Sequence, residues 1–355
     1  MLNTTDEKPH VFDPKSANVL FFFLLHPPSY SSSISFHSPT RHGFATMSDQ
    51  KKMNELLKWS IINQATESED APTRPGPPPK PMEKMDPGLI EAILGKSETQ
   101  MMMEALKVIK NPNATTDEKE LAWEDFEMLI QQIDNAADIE NMKMWPPILE
   151  ELKNPNPKFR EQAAWACGTA TQNNPKAQSA FLKHKGVTAI LDLMSDPETF
   201  VRAKAMYALS GAVKHFEPAL EEFKNEDGFK TLVNMLKTET GKQDAELSRM
   251  KYISLLRKTV FLMNTLLIQD PSSSTLLADL ELLHALNTVL TLHMDDEDLV
   301  EKTLVALRTF FQVASSPVHP STLAAIRPKV LEAKEKYGKF ILDSEAWAEL
   351  DNKTA

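Results

Sequence analysis

A stretch of this chain returns on itself 42 residues later. Phe159-Arg160-Glu161-Gln162-Ala163-Ala164-Trp165-Ala166 comes back as Val201-Arg202-Ala203-Lys204-Ala205-Met206-Tyr207-Ala208, and the offset of 42 also carries Gly186-Val187 onto Gly228-Phe229, Leu191 onto Val233 and Met194 onto Leu236. Stepping back by 42 puts Leu121 under Ala163, Trp123 under Trp165, Leu149 under Leu191 and Leu152 under Met194. Stepping forward, Tyr207 meets Phe261 and Leu236 meets Leu290 at an offset of 54, with the extra residues falling in the polar stretch 237–247, which suits a longer loop. A fifth unit is expected at 300–330, with Val305 under Phe261 at an offset of 44. Beyond residue 88 the apolar residues recur at i, i+3, i+4 and i+7, so every unit is helical. A unit this small cannot bury its apolar face alone, and neighbours must stack to build a continuous core.

A period near 42 in all-helical units resembles the armadillo or HEAT pattern. The local residues favour armadillo: Arg160, then Ala163-Ala164-Trp165-Ala166-Cys167-Gly168, then Asn173-Asn174-Pro175 and Gly186-Val187, is similar to the third helix of an armadillo repeat and its following loop. The small residues let that helix pack closely, and Asn-Pro stops it. The expected fold is all-α: an armadillo-like superhelical repeat array at 117–314, N-terminal capping helices at 88–116, and a C-terminal capping helix and tail at 315–355.

Ahead of the array the composition changes. Of 24 prolines, 12 lie in the first 87 residues, and 66–87, centred on Arg74-Pro75-Gly76-Pro77-Pro78-Pro79-Lys80-Pro81, reads as an extended linker. Residues 1–46 are expected to be a disordered tail or an upstream extension of the gene, with Met47 as the functional start. The run Val19-Leu20-Phe21-Phe22-Phe23-Leu24-Leu25 lacks the basic start and small-residue cleavage site of a secretion signal. No apolar run approaches the roughly 20 residues of a bilayer span, and the single cysteine, Cys167, fits a reducing compartment. A cytoplasmic, monomeric protein is expected. A net charge of −11 with no basic block argues against nucleic acid.

No phosphate-binding loop, dinucleotide fingerprint, nucleophile elbow or zinc-protease motif occurs, so neither an enzyme nor a cofactor is expected. His284 and His293, near Asp295, Asp296 and Glu297, read as a helix end followed by an acidic cap rather than a metal site. Cys167, in an Ala-rich helix, reads as core. Met101-Met102-Met103 begins an amphipathic helix and is expected to pack inward.

Trp123, Trp165, Tyr207 and Phe261 align as a ladder, one aromatic per unit, on the helices that line the concave face of an armadillo array; aromatic and arginine side chains most often carry interface energy. One turn earlier stand Lys119, Glu161, Ala203 and Arg257; one turn later stand Glu127, Thr169, Gly211 and Thr265. Armadillo proteins that hold extended peptides place Asn at the later position, so a folded partner is the better expectation here.

Two further segments, Met53-Asn54-Glu55-Leu56-Leu57-Lys58-Trp59-Ser60-Ile61-Ile62 and Asp134-Asn135-Ala136-Ala137-Asp138-Ile139-Glu140-Asn141-Met142-Lys143-Met144-Trp145, occur in order with the repeats. Together they resemble the fungal cytosolic armadillo-type nucleotide exchange factors of heat shock protein 70, over about residues 52–351. The resemblance implies that the concave face clasps one lobe of the chaperone's nucleotide-binding domain, opens its cleft and speeds ADP release. It implies Trp123, Glu127, Ala136, Ala137, Trp165, Tyr207, Arg257 and Phe261 as contacts, with Ala136 and Ala137 on the turn before the next unit. It also implies that 47–65, with Leu56, Leu57, Trp59 and Ile61, acts on the chaperone's client site during release. An armadillo scaffold with a different folded partner, or a lumenal exchange factor of the same family, are the alternatives.

Overall fold

A computed structural model describes residues 95–240 and 246–355. The client-release segment, the proline-rich linker and residues 1–46 therefore lie outside the described residues. The chain divides into two compact units, Met1–Met101 and Met102–Ala355. Of the first, only 95–101, the approach to and first turn of α1, is described.

Among the described residues there are helices and no strands. In chain order they are α1 (Glu98–Lys110), α2 (Thr116–Ile130), α3 (Ile133–Asp138), α4 (Trp145–Glu151), α5 (Pro157–Thr171), α6 (Pro175–Lys183), α7 (Gly186–Leu193), α8 (Thr199–Val213), α9 (Glu217–Asn225), α10 (Gly228–Thr240), α11 (Glu246–Gln269), α12 (Ser274–Asp279), α13 (Leu282–Leu292), α14 (Glu297–Val313), α15 (Pro320–Tyr337) and α16 (Ser344–Thr354). From α3 to α14 they fall into four triads of short first helix, second helix and long third helix. Third helices pack on one another in succession: α2 on α5, α5 on α8, α8 on α11 and α11 on α14.

The breaks are built from local chemistry. Asn156 and Asn174 accept the Lys158 and Ala177 N–H groups and are followed by proline at the first helical position, so each Asn-Pro starts a helix as well as ending the one before. Thr115 and Glu118 form a reciprocal capping box on α2. Every turn into a second helix passes through a left-handed residue, at Lys143, Lys185, Asp227 and Glu281. The repeated glycines Gly186 and Gly228 are fixed by contact, since a Cβ at either would collide with the ring of Phe181 or Phe223. Those rings are fully buried.

Of the polar stretch 237–247, the described residues 237–240 and 246–247 are helical, and the rest of the expected loop, 241–245, lies outside the described residues. α10 continues to Thr240, and α11 begins at Glu246 and reaches 24 residues. Glu239 is held there by an ion pair to Arg202 at 2.8 Å. After the last triad two helices follow, α15 and α16; residues expected as a tail are helical to Thr354, anchored by Leu350 in the core and by Trp347 Nε1 donating to the Gly338 carbonyl at 2.8 Å. Of the methionine cluster only Met102 is buried.

Candidate partner-binding face

Third helices supply the face on which the sequence placed its aromatic ladder, and the rungs lie at different depths. Trp123 is only 1% exposed and stacks edge-on against Phe126, so it is a core side chain. Tyr207 is also buried, lying across Gly168 of the preceding third helix. Trp165 and Phe261 are half-buried and reach the surface. Sequence period fixes which stripe a residue occupies, but the depth at which the next unit covers it is set by packing.

The other expected contacts divide in the same way. Glu127 is buried, its carboxylate taken by Gln131 Nε2 at 2.9 Å and by the Thr169 hydroxyl of the next unit at 3.1 Å. Ala136 and Ala137 stand on the short helix α3 rather than on a turn. Ala136 is buried and Ala137 half-buried. Arg257 is half-buried and committed: its guanidinium grips both oxygens of Asp296 at 3.0 and 2.6 Å and approaches Asp298 at 3.2 Å. Trp165, Arg257, Phe261 and Ala137 are thus the expected residues that present surface.

The missing Asn of the peptide-holding pattern has a steric reason. A Cβ at Gly211 would stand 2.8 Å from Thr171 Oγ1 and 2.9 Å from the Gly168 carbonyl oxygen. α8 approaches α5 too closely for any side chain at that position. At the equivalent position in α11, Thr265 turns back onto the Phe261 carbonyl at 2.9 Å.

A residue that sequence reasoning passed over stands at the centre of the face. The Lys204 ammonium sits 3.4 Å above the centroid of the Trp165 ring, a cation–π contact between adjacent third helices. Burial pulls its pKa down to about 8, with Glu161 and Glu127 opposing and Lys258 and Lys158 adding to the fall. Lys258 on α11 is lowered by burial as well. The signal was present: the offset of 54 that joins Tyr207 to Phe261 joins Lys204 to Lys258.

Neither candidate chemistry of the sequence survives as a site. Asp296 caps α14 through the Leu299 N–H, and His293 is buried with Nε2 at 3.3 Å from the Thr240 carbonyl. Cys167 is fully buried, which drives its thiol pKa far above the usual range. Among the described residues no group of His, Cys, Asp and Glu is placed to hold a metal, and no single helix is long and apolar enough to cross a membrane.

Comparison with known proteins decides the family. The family model described as the SIL1/FES1/HPBP1 C-terminal domain matches residues 135–345, and the model described as nucleotide exchange factor Fes1 matches residues 53–139. The chain belongs to the SIL1/FES1/HPBP1 family. It is 42% identical over 238 residues to an Hsp70 nucleotide exchange factor FES1 of Mycosarcoma maydis, a match covering 64% of this chain and 57% of that protein. A FES1 protein of Gibberella zeae is 39% identical over 181 residues, 49% of this chain and 83% of the relative. The chain spans less than two thirds of several curated relatives, 57% of the Mycosarcoma protein and 65% of one from Yarrowia lipolytica. Among solved structures, a designed armadillo repeat protein superposes with a TM-score of 0.54 at 11% identity, covering 72% of this chain and 100% of the design. Another, in complex with the peptide (KR)4, gives a TM-score of 0.51 at 13% identity, covering 71% and 97%. At these identities the likeness is one of fold alone, and the fold is armadillo-like.

Proposed function

We propose that this protein is a nucleotide exchange factor of Hsp70: it clasps one lobe of the chaperone's nucleotide-binding domain with its third-helix face, opens the cleft, and so speeds ADP release and, once ATP enters, client release. The observation that carries this reading is the match of the exchange-factor family models across 53–345, joined to relatives whose shared name is Hsp70 nucleotide exchange factor. The task requires no proton donor and no nucleophile. It requires a rigid surface that fits the open lobe better than the closed one, because a ligand with equal affinity for both states shifts nothing. The coupling is reciprocal: a factor that weakens ADP binding is itself displaced by ADP.

Trp165, Phe261, Ala137 and Arg257 are the proposed contacts, as the half-buried residues of the expected set. Trp123, Tyr207, Ala136 and Glu127 shape the face from beneath. Residues 51–63, in which Lys51, Lys52 and Lys58 flank Leu56, Leu57, Trp59 and Ile61, serve as a tethered pseudo-substrate for the chaperone's client site, with the linker setting its effective concentration. The protein acts in the cytoplasm as a monomer.

Stopped-flow release of fluorescent ADP from a cytosolic Hsp70, with the full chain added, tests the reading. Saturable acceleration supports it, and no acceleration by a folded protein rejects it. For the N-terminal segment, a peptide of residues 51–63 should displace a labelled client peptide from the chaperone.

A further inference from the structure

We infer that Lys204 and Lys258 form a cationic seat on the third-helix face that receives a carboxylate from the surface of the folded partner. Naming that partner as the chaperone rests on the exchange-factor reading; the seat itself rests on four observations.

The two lysines occupy one register. The offsets that align Tyr207, Phe261 and Val305 also align Lys204, Lys258 and Lys302 on successive third helices. Among the described residues the last, Lys302, is satisfied by an ion pair to Asp298.

Several other cations on these helices are matched. Lys158 pairs with Glu161, Arg202 with Glu239, Arg257 with Asp296 and Arg308 with Glu349. Lys204 and Lys258 enter no such pair among the described residues, although both are half-buried. The nearby carboxylates are already engaged: Glu161 with Lys158 at 3.1 Å, and Glu127 with Gln131 and Thr169.

A half-buried ammonium with no ion pair of its own is costly, because it has lost water and the nearest carboxylates are engaged elsewhere. That cost is visible in the lowered proton affinity of both groups, which burial causes in each and to which the Lys258 charge adds at Lys204. The Trp165 face offsets part of it for Lys204 and fixes where the charge sits. Of the groups facing Lys204, Glu161 and Lys158 come from α5, Glu127 from α2 and Lys258 from α11.

A partner carboxylate placed between the two ammonium groups would satisfy both with charge-assisted hydrogen bonds in a partly dry site. The arrangement selects an acidic patch on the partner and rejects a basic one, although the chain as a whole carries a net charge of −11. It also couples binding to protonation: near pH 8 Lys204 is partly neutral, and engagement of a carboxylate draws a proton onto it.

The test uses the full chain and full-length Hsp70 in calorimetry at pH 8, in buffers of different ionisation enthalpy. The wild type should take up protons on binding. Lys204→Met and Lys258→Met, which keep the apolar stems, should each weaken binding roughly tenfold or more, and Lys204→Met should abolish the proton uptake. Wild-type affinity in both folded variants, with no uptake in the wild type, overturns the seat. Should the wild type itself neither bind nor accelerate ADP release, the exchange-factor reading falls, and the seat is judged with oligoglutamate by NMR of 13C-methylated lysines. An upward move of the Lys204 titration upholds it, and an unchanged titration overturns it.

Discussion

Arg257 reaches one unit along the array to hold Asp296 by both carboxylate oxygens, at 3.0 and 2.6 Å, while the same Asp296 accepts the Leu299 N–H at 2.9 Å and so caps α14. One side chain thus anchors the last third helix both to itself and to its neighbour. Arg257→Ala is expected to cost about 1 kcal/mol, kept small by the partial exposure of the pair, besides weakening partner binding. Asp296→Asn retains a capping side chain but loses the ion pair, and should lower stability without touching the partner contact. Urea unfolding of both variants, set beside their affinity for the chaperone, separates the two roles.

Arg202 and Glu239 form a pair 2.8 Å apart with side chains only 6% and 3% exposed. Removing one charge strands the other, so Arg202→Met should destabilise by about 3 kcal/mol. Adding Glu239→Leu should restore part of the loss, the remainder being the bonds Arg202 makes to the Asp196 and Pro197 carbonyls at 2.6 and 3.0 Å and to the Thr199 hydroxyl at 2.9 Å. A double-mutant cycle by chemical denaturation measures both quantities.

Gly211→Asn would install the residue that peptide-holding armadillo proteins carry at this position. With Thr171 Oγ1 and the Gly168 carbonyl both inside 3.0 Å of the new Cβ, α8 must move off α5, at a cost of about 2 kcal/mol. The variant should melt at a lower temperature and gain no affinity for an extended peptide, as read by calorimetry and fluorescence anisotropy.

Burial lowers Lys204 and Lys214 to about 8 from the ordinary value of 10.5. A lysine whose folded pKa is depressed opposes folding while charged, and the unfolded chain binds more protons across the interval between the two values. The contribution of these groups to stability therefore rises between about pH 8 and 10.5. Urea midpoints at pH 7.5, 9 and 10 should show this rise most clearly as a difference from Lys204→Met, which lacks the Lys204 part of it.

Much of the architecture was legible because it repeats. Gly186 and Gly228 mark one contact made twice, against Phe181 and Phe223, and a contact made twice leaves a period in the sequence. The site was less legible. Trp123 and Trp165 are indistinguishable by spacing, yet one is sealed in the core and the other lies under Lys204 at the surface. That difference arises from which unit lies next to each, which no local pattern records. The inter-unit ion pairs were hidden for a related reason: Arg160–Asp196, Arg257–Asp296 and Lys336–Asp295 span 36, 39 and 41 residues, so they share no single offset. Within 237–247, Glu239 and Thr240 are polar yet buried, Glu239 through its ion pair to Arg202, and composition alone does not record that partner.

These cross-links, together with Arg202–Glu239, each join a unit to its immediate neighbour. The array is mechanically a set of joints in series. Its compliance is the sum of the compliances of its joints, and under tension the weakest one yields first. A few degrees of give at each joint would add along the stack, so its ends can shift relative to one another while every joint stays near its resting geometry.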